Sequence, residues 1–215
     1  MISDIVVTVM EWIGTVSFAA SGALVAIGSS LDLFGVVTVG CITAVGGGVI
    51  RDLLIGNIPP KIFFSPYVLL VAAVTALLVF EVAYLYRKKF NKFRRKAEML
   101  NVFFDALGLA SFSIAGVEVV QRTLTEDHPL LAITLGVLTG VGGGVIRDVL
   151  VNEKPYILVR HIYAIVSVLG CSFYYIISVL LGQTVIATFA VVLFTVAMRL
   201  LAARFHWELP KIKIE

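Results

Sequence analysis

The sequence predicts an all-α integral membrane protein with seven transmembrane helices, built as an inverted repeat of two three-helix units plus a seventh helix. Its 215 residues are 60% hydrophobic and 14% charged, with a mean hydropathy of +1.02, which is far more apolar than a soluble domain. Seven apolar runs have about the 20 residues that a spanning helix needs. The string GGGVIRDLLI at Gly46–Ile55 returns as GGGVIRDVLV at Gly142–Val151.

The apolar runs are separated by residues that end helices. Glycine, proline, asparagine and charged residues fill the gaps, as at 56–60 and 126–129. We expect spans at 5–27, 33–55, 64–86, 101–121, 129–151, 159–181 and 183–204. The chain then divides into a first repeat (1–86), a basic cytoplasmic loop (87–100), an inverted second repeat (101–181), a seventh helix (182–205) and a cytoplasmic tail (206–215). No cationic residue precedes the first apolar run, so we expect no cleaved signal peptide.

The cationic residues predict the orientation in the membrane. Seven of the chain's 17 lysines and arginines lie in RKKFNKFRRK at 87–96. Positive residues are retained on the cytoplasmic side, so we expect this segment inside and the N-terminus outside. The same orientation puts these residues inside: Lys154, Arg160, Arg204, Lys211 and Lys213. It leaves only Lys61 and Arg122 in the outer loops, and the basic run favours contact with anionic lipid rather than nucleic acid.

The repeat extends upstream of the glycines. Thr38, Gly40 and Thr43 lie 96 positions before Thr134, Gly136 and Thr139. Gly14, Ser17, Phe18 and Gly22 lie 94 positions before Gly108, Ser111, Phe112 and Gly116. Because each copy holds three spans, the second copy must enter the bilayer from the opposite face. Inverted repeats of this kind place substrate and ion sites near the midplane, between the halves.

Both glycine triplets fall near the middle of a span, and their six members are Gly46, Gly47, Gly48, Gly142, Gly143 and Gly144. From Phe34 to Gly46 the helix rises roughly 18 Å at 1.5 Å per residue, which is past the centre of a core about 30 Å thick. Two interpretations stay open and are compatible. The glycines kink the helix and free carbonyl groups toward a water-filled path, or they let two helices cross closely.

One turn after each triplet comes an Arg-Asp pair, Arg51-Asp52 and Arg147-Asp148. Neighbours on a helix point about 100° apart, so we expect each group to pair with another helix rather than with its neighbour. Glu11 and Asp105, which are 94 positions apart, are the acids available in the repeat. Charges inside a span usually face a polar cavity. The alternative is that they lie near helix ends and reach the headgroups.

Six hydroxyl side chains in the repeat are candidates to line a polar path: Ser17, Thr38, Thr43, Ser111, Thr134 and Thr139. Alternatively, each bonds the carbonyl one turn earlier in its own helix. Cys41 and Cys171 lie in apolar runs, which favours packing over a disulfide or a metal site. The scattered histidines, His128, His161 and His206, form no HExxH motif, and GGGVIRD lacks the Gly-Lys-Ser/Thr of a P-loop. We therefore predict no enzyme, cofactor or metal.

The doubled GGGVIRD motif, the seven spans and the basic segment after the third helix resemble the trimeric intracellular cation (TRIC) channel family, in particular its prokaryotic branch. The resemblance covers essentially the whole chain. It implies a homotrimer with one K⁺-permeable pore in each protomer, lined by kinked second and fifth helices. The six glycines would be the kink positions, and Arg51, Asp52, Arg147 and Asp148 would border the pore.

The sequence departs from the animal members of that family on the fourth helix. They resemble one another in a Lys-Glu-Val segment that helps to hold a phosphoinositide, whereas Val117–Arg122 here reads VEVVQR, without the lysine. The departure argues against phosphoinositide binding and a reticulum location, and the short C-terminal tail fits a prokaryotic plasma (inner) membrane. The partners expected are the chain itself, membrane lipid and monovalent cations.

The function expected is electrodiffusion of monovalent cations, chiefly K⁺, between the two repeats. Arginines beside this path repel cations unless Asp52, Asp148, Glu11 or Asp105 neutralises them, so they gate the path or bind an anionic lipid headgroup. The alternative function is secondary transport of a small polar solute such as an amino acid, because inverted repeats are common in transporters. A half-helix N-terminus beside an arginine suits a carboxylate. A non-conducting scaffold is a third, weaker possibility.

Overall fold

The computed structural model describes residues 2–159 and 162–207, so Arg160, His161, Lys211 and Lys213 lie outside the described residues. The helices are α1 (Ile2–Gly28), α2 (Leu33–Leu54), α3 (Pro66–Leu85), α4 (Arg87–Thr123), α5 (Pro129–Leu150), α6 (Tyr156–Val159), α7 (Tyr163–Tyr175) and α8 (Thr184–Phe205). A 3₁₀ turn at Lys61–Phe64 precedes α3, and a π-helical turn at Ile176–Leu180 continues α7.

Seven stretches of the described chain are long and apolar enough to cross a membrane, as predicted. They are Ser3–Gly28, Leu33–Leu54, Pro66–Leu85, Lys96–Thr123, Pro129–Leu150, Tyr163–Leu180 and Thr184–Phe205. The sixth span begins at Tyr163 rather than at 159, because the short helix α6 precedes it as a separate element. We number the spans in this order, so α8 is the seventh.

The prediction of a loop at 87–100 is wrong, because these residues form the start of α4. Only Tyr86 separates α3 from α4, and α4 runs without interruption for 37 residues. The segment holds no glycine or proline, and its lysines, arginines, glutamate, leucine, methionine and alanine all favour a helix. A helix of this length is about 55 Å long, so its first turns extend beyond a bilayer core of about 30 Å.

Helices α2 and α5 cross at the two glycine triplets. A Cβ atom on Gly47 would collide with the carbonyl group of Thr139, and a Cβ atom on Gly143 would collide with the carbonyl group of Thr43. Residue numbers rise along one helix as they fall along the other, so the two helices run antiparallel at this crossing. That is the direction that an inverted repeat requires.

Helices α1 and α4 pack through a second reciprocal pair of contacts. The rings of Phe18 and Phe112 stack with their centroids 5.3 Å apart. Gly108 lies directly against the ring of Phe18, and a Cβ atom on Gly14 would lie 3.1 Å from the ring of Phe112. Each repeat copy therefore contributes one phenylalanine and the glycine that accommodates the partner's ring.

The third and seventh spans lie at the outside of the bundle. Only Ala72 and Ala76 of α3 are buried. In α8, small and apolar side chains face α4 and α7, and Ala187 and Val191 join the core cluster that includes Leu135 and Tyr174. Most of α3 is therefore free to face lipid or another copy of the chain.

Candidate functional site

The Arg-Asp pair of the first copy lies in the last turn of α2, and both side chains are buried. Arg51 Nε donates to Asp52 Oδ1 at 3.0 Å, while the other carboxylate oxygen accepts the backbone N–H of Lys61 at 2.9 Å. The backbone N–H of Asn57 donates to the carbonyl oxygen of Asp52 at 2.8 Å. Asp52 therefore holds its neighbouring arginine and anchors the loop that follows α2.

The second copy repeats this arrangement at the end of α5. Arg147 Nε donates to Asp148 Oδ1 at 2.8 Å, and Asp148 Oδ2 accepts the backbone N–H of Tyr156 at 2.8 Å. The backbone N–H of Glu153 takes the place of that of Asn57, at 2.8 Å from the carbonyl oxygen of Asp148. The two helix ends thus share one hydrogen-bonding pattern.

One prediction about these charges is wrong. Neighbouring Arg and Asp side chains do bond each other in both copies, because the long arginine side chain bends across the roughly 100° between adjacent positions. The alternative, in which the charges reach the headgroups from helix ends, agrees with their place in the last turns of α2 and α5 but not with their burial. The side chains of Arg51 and Arg147 are 8% and 0% exposed, and those of Asp52 and Asp148 are 2% and 1% exposed, so the groups lie inside the protein.

Glu11 and Asp105, the acids predicted to lie near these arginines on other helices, do so, but their distances to the arginines differ between the two copies. Arg147 Nη1 donates to Asp105 Oδ1 at 2.8 Å and to Ser21 Oγ at 2.7 Å. The equivalent pair in the first copy is loose: Arg51 Nη1 lies 3.8 Å from Glu11 Oε1, and the Glu11 side chain is 44% exposed. The second copy therefore forms a closed ion network, and the first leaves one carboxylate accessible.

Arg199 is a functional candidate that reading the sequence missed. It lies in α8 and is fully buried, with its Nη2 at 3.3 Å from Asp105 Oδ2. Its guanidinium carbon lies 4.1 Å from the centre of the Tyr163 ring, within the range of a cation–π contact. The signal was available, because an arginine inside an apolar span usually marks a polar contact or a pathway.

A cavity of about 210 Å³ adjoins the charges of the first copy. Its lining includes Gly48 and Phe112 together with these charged and polar residues: Glu11, Thr15, Arg51, Asp52, Lys61 and Ser65. An opening of this size has room for several water molecules or a small hydrated ion.

The equivalent positions of the second copy enclose no space for a water molecule. The lining there includes Gly144, Arg147 and Asp148, the counterparts of Gly48, Arg51 and Asp52. Two substitutions between the copies explain the difference. Tyr163 stands where the first copy has Val68, and Leu109 stands where it has Thr15. The second copy is thus filled by side chains at the place where the first is hollow.

The six glycines do not share one role. Gly46, Gly47, Gly142 and Gly143 lie at the helix crossing, where a Cβ atom would meet the opposite helix. Gly48 and Gly144 face the charges instead: the nearest atoms to an added Cβ are Arg51 Nη2 at 3.9 Å and Arg147 Nη2 at 3.6 Å. Both helices remain α-helical through the triplets. The close-crossing interpretation therefore fits the contacts, no break in either helix is seen, and a bend stays a prediction.

The residues that line the cavity include none of the six predicted hydroxyl side chains. Thr43 and Thr139 are buried at the crossing, but each donates to the carbonyl group one turn earlier in its own helix, at 2.6 Å. Ser17 and Ser111 are buried, whereas Thr38 is half-buried and Thr134 is exposed. Thr15 and Ser65, which the sequence did not single out, are the hydroxyls that do line it.

The segment Val117–Arg122, which lacks the lysine of the animal TRIC channels, makes contacts within the protein. Glu118 accepts a hydrogen bond from the hydroxyl group of Tyr174 at 2.8 Å and from Arg122 at 3.3 Å. Arg122 also pairs with Asp4 at 3.0 Å. The described residues hold no cluster of histidine, cysteine and acidic side chains suited to a metal ion.

A family model described as glycine transporter matches the chain at residues 8–84 and 102–179. These two stretches correspond to the two copies of the sequence repeat. Among relatives, the inner membrane protein YadS of Escherichia coli strain K12 is 38% identical over 210 residues, which cover 96% of each chain. The membrane protein YvgT of Bacillus subtilis is 37% identical over 201 residues, which cover 92% of each chain.

Solved structures of TRIC channels are similar to the chain over nearly its whole length. The TRIC channel orthologue from Rhodobacter sphaeroides is 30% identical with a TM-score of 0.82, covering 94% of this chain and 98% of its own. A prokaryotic TRIC channel solved in 0.5 M KCl is 32% identical with a TM-score of 0.82, covering 95% and 99%. A TRIC cation channel studied for its conductance is 36% identical with a TM-score of 0.76, covering 97% and 98%.

Proposed function

Since the chain belongs to the glycine transporter family and is similar to solved prokaryotic TRIC channels over nearly its whole length, we propose that it is a cation channel of a prokaryotic inner membrane. The observation that carries the proposal is the charged cavity of about 210 Å³ beside the crossing of α2 and α5. Polar cavities inside a membrane protein mark ion or substrate pathways. The relatives of known structure favour a cation as the permeant species, because they are described as cation channels.

We place the pore within each protomer, between the two repeats. Its outer half is the cavity lined by the carboxylates of Glu11 and Asp52, the buried guanidinium group of Arg51 and the exposed Lys61. The exposed carboxylate of Glu11 attracts monovalent cations, and Arg51 sets the local potential. The path continues past Gly48 and the crossing toward the Arg147 cluster, with K⁺ as the chief permeant ion. A bend at the glycine triplets would widen this crossing.

We further propose a homotrimer, with the N-terminus outside and the C-terminus in the cytoplasm. The orthologue from Rhodobacter sphaeroides is described as trimeric, and the exposed apolar face of α3 offers surface to a second copy or to lipid. The orientation follows from the seven cationic residues at 87–96. In that orientation the cavity opens outward and the closed cluster faces the cytoplasm. Bound lipid fits the basic start of α4.

The second candidate is transport of a small amino acid, which the description of the family model favours. The cavity supports it with paired groups: Arg51 suits a carboxylate, and Glu11 suits an ammonium group. Both candidates use the same site. They differ in whether flux saturates with substrate and whether single molecules carry large currents.

Planar-bilayer recording of the purified protein in asymmetric KCl tests the proposal. We expect discrete current steps that reverse near the K⁺ equilibrium potential and disappear in a large organic cation. Glu11→Gln should lower the conductance, whereas Glu81→Gln, on the exposed surface of α3, should not. Silent bilayers together with saturable glycine uptake into liposomes would contradict the channel and support the transporter.

A further inference from the structure

The carboxylates of Glu11 and Asp105 hold corresponding places in the two repeats, but they have different partners. Glu11 meets one guanidinium group, that of Arg51, at 3.8 Å. Asp105 meets two, those of Arg147 at 2.8 Å and Arg199 at 3.3 Å. Arg199 comes from α8, which belongs to neither repeat, so the first half has no counterpart of it.

We propose that Arg199 is a tethered cation that occupies, beside Asp105, the kind of site that a mobile monovalent cation enters beside Glu11. The inference rests on the proposed cation channel and extends it. It assigns a cation site to each half of the path, and it identifies a side chain that blocks one of them. The ligand class is a monovalent cation, either K⁺ or a small organic cation such as an ammonium or guanidinium ion.

Charge supports this assignment. Without α8, the buried cluster of the second half holds two carboxylates, those of Asp105 and Asp148, and one guanidinium group, that of Arg147, so the cluster is negative by one. Arg199 brings the cluster of the second half to neutrality. Because a buried charge is costly unless it is paired, the guanidinium group is favoured there whenever no mobile cation is present. The first half has an open cavity in the matching place and remains accessible to a cation from solution.

Arg199 is held less firmly than Arg147, which suits a group that has to leave. Arg147 donates from Nε and Nη1 to three oxygen atoms at 2.7–2.8 Å. Arg199 has one contact at 3.3 Å, and two of its nitrogen atoms, Nε and Nη1, are buried without a hydrogen-bond partner among the described residues, against one, Nη2, in Arg147. Unsatisfied buried donors destabilise this arrangement. The Tyr163 ring supplies the remaining attraction, and it fills the space that Val68 leaves open in the first half.

The test removes the guanidinium group of Arg199 by mutation and supplies a guanidinium ion from solution. In bilayers, Arg199→Ala should raise the open probability in KCl by roughly tenfold, within the range usual for coupling between sites. Methylguanidinium at millimolar concentration on the cytoplasmic side should restore the block. Arg199→Met should also raise the open probability, but methylguanidinium should not block it, because the methionine side chain fills the site. Arg204→Ala, an exposed arginine near the end of α8, is the matched control and should behave like the wild type.

Several outcomes overturn the inference. One is an unchanged open probability in Arg199→Ala, and another is equal block of Arg199→Ala, Arg199→Met and Arg204→Ala. If the wild type and all variants are silent, the cation channel itself fails. Thermal unfolding in detergent then tests the cation site beside Asp105: methylguanidinium should raise the Tm of Arg199→Ala and not that of Arg199→Met. Absence of that difference overturns the site independently of flux. Asp105 keeps its bond to Arg147 in these variants, so we expect them to fold.

Discussion

At the residue scale, the third glycine of each triplet differs from the first two. Gly47 touches the backbone of the opposite helix, whereas the nearest atom to an added Cβ on Gly48 is the end of the Arg51 side chain, at 3.9 Å. The sequence GGG gives no sign of this difference, because the side that each residue faces depends on how the two helices are rotated about their axes. Only the crossing contacts reveal it.

We therefore predict opposite results for two alanine substitutions that differ by one position. Gly47→Ala should destabilise the folded protein by about 1–3 kcal/mol, the usual cost of overpacking, because its Cβ atom meets a carbonyl group that cannot move aside. Gly48→Ala should fold normally and reduce conductance, since its methyl group enters the cavity. Thermal unfolding and bilayer recording of both variants check this. Equal stabilities would contradict the close crossing.

The arginine of the first copy gives a second prediction at this scale. Arg51 is buried beside the proposed path, whereas Lys92 belongs to the basic start of α4. Arg51→Ala should change open probability or K⁺/Na⁺ selectivity, because it removes the positive charge that balances Asp52 and Glu11. Lys92→Ala should change neither. Matched single-channel records in K⁺ and Na⁺ measure both quantities, and equal effects would remove Arg51 from the pathway.

At the scale of elements, the seven spans could be predicted because hydropathy and helix breakers act locally. The extent of α4 could not be predicted in the same way. A run of lysines and arginines is typical of a loop in a membrane protein, yet the same residues form a helix once it leaves the bilayer core. Arg199 could not be identified in the way that Glu11 and Asp105 were. Those two residues occupy equivalent positions of the repeat, whereas α8 has no repeat partner.

Val68 and Tyr163 occupy corresponding positions in the third span of each copy, and we expect them to determine which half encloses a cavity. Exchanging the two residue types tests this. Val68→Tyr places an aromatic ring in the first cavity and should reduce flux strongly. Tyr163→Val removes the ring from the second half and should raise open probability, because it also removes the cation–π contact to Arg199. Recording both variants in KCl separates the two effects. A rise in flux for Val68→Tyr would show that the cavity is not on the path.

At the scale of the whole molecule, the two halves share their crossing contacts and helix ends but differ in openness. Among the described residues, the charges of the first half adjoin an accessible cavity and those of the second form a closed cluster, whereas a symmetric pore would have two equal vestibules. In our proposal, the two repeats supply two related cation sites, and the differences at Val68, Tyr163 and α8 leave one site open and place Arg199 in the other. In the proposed orientation, Arg199 therefore blocks the path at its cytoplasmic end, on the side of the basic start of α4.

The orientation of the halves is the remaining prediction, and paired cysteine substitutions test it. Asn57 and Glu153 are equivalent, because each donates its backbone N–H to the carbonyl oxygen of the aspartate at its helix end. In an inverted repeat, equivalent positions lie on opposite faces of the membrane. In a background with Cys41→Ala and Cys171→Ala, a membrane-impermeant thiol reagent should label Asn57→Cys in intact cells.

The same reagent should label Glu153→Cys only after the cells are permeabilised, because the positive-inside rule places that loop in the cytoplasm. Labelling of Glu153→Cys alone in intact cells would keep the inversion but reverse the orientation, and with it the side from which methylguanidinium acts on Arg199→Ala. Labelling of both from the same side would rule out the inverted repeat. It would also end the argument that equates the sites of Glu11 and Asp105, since that equivalence needs a twofold axis in the membrane plane.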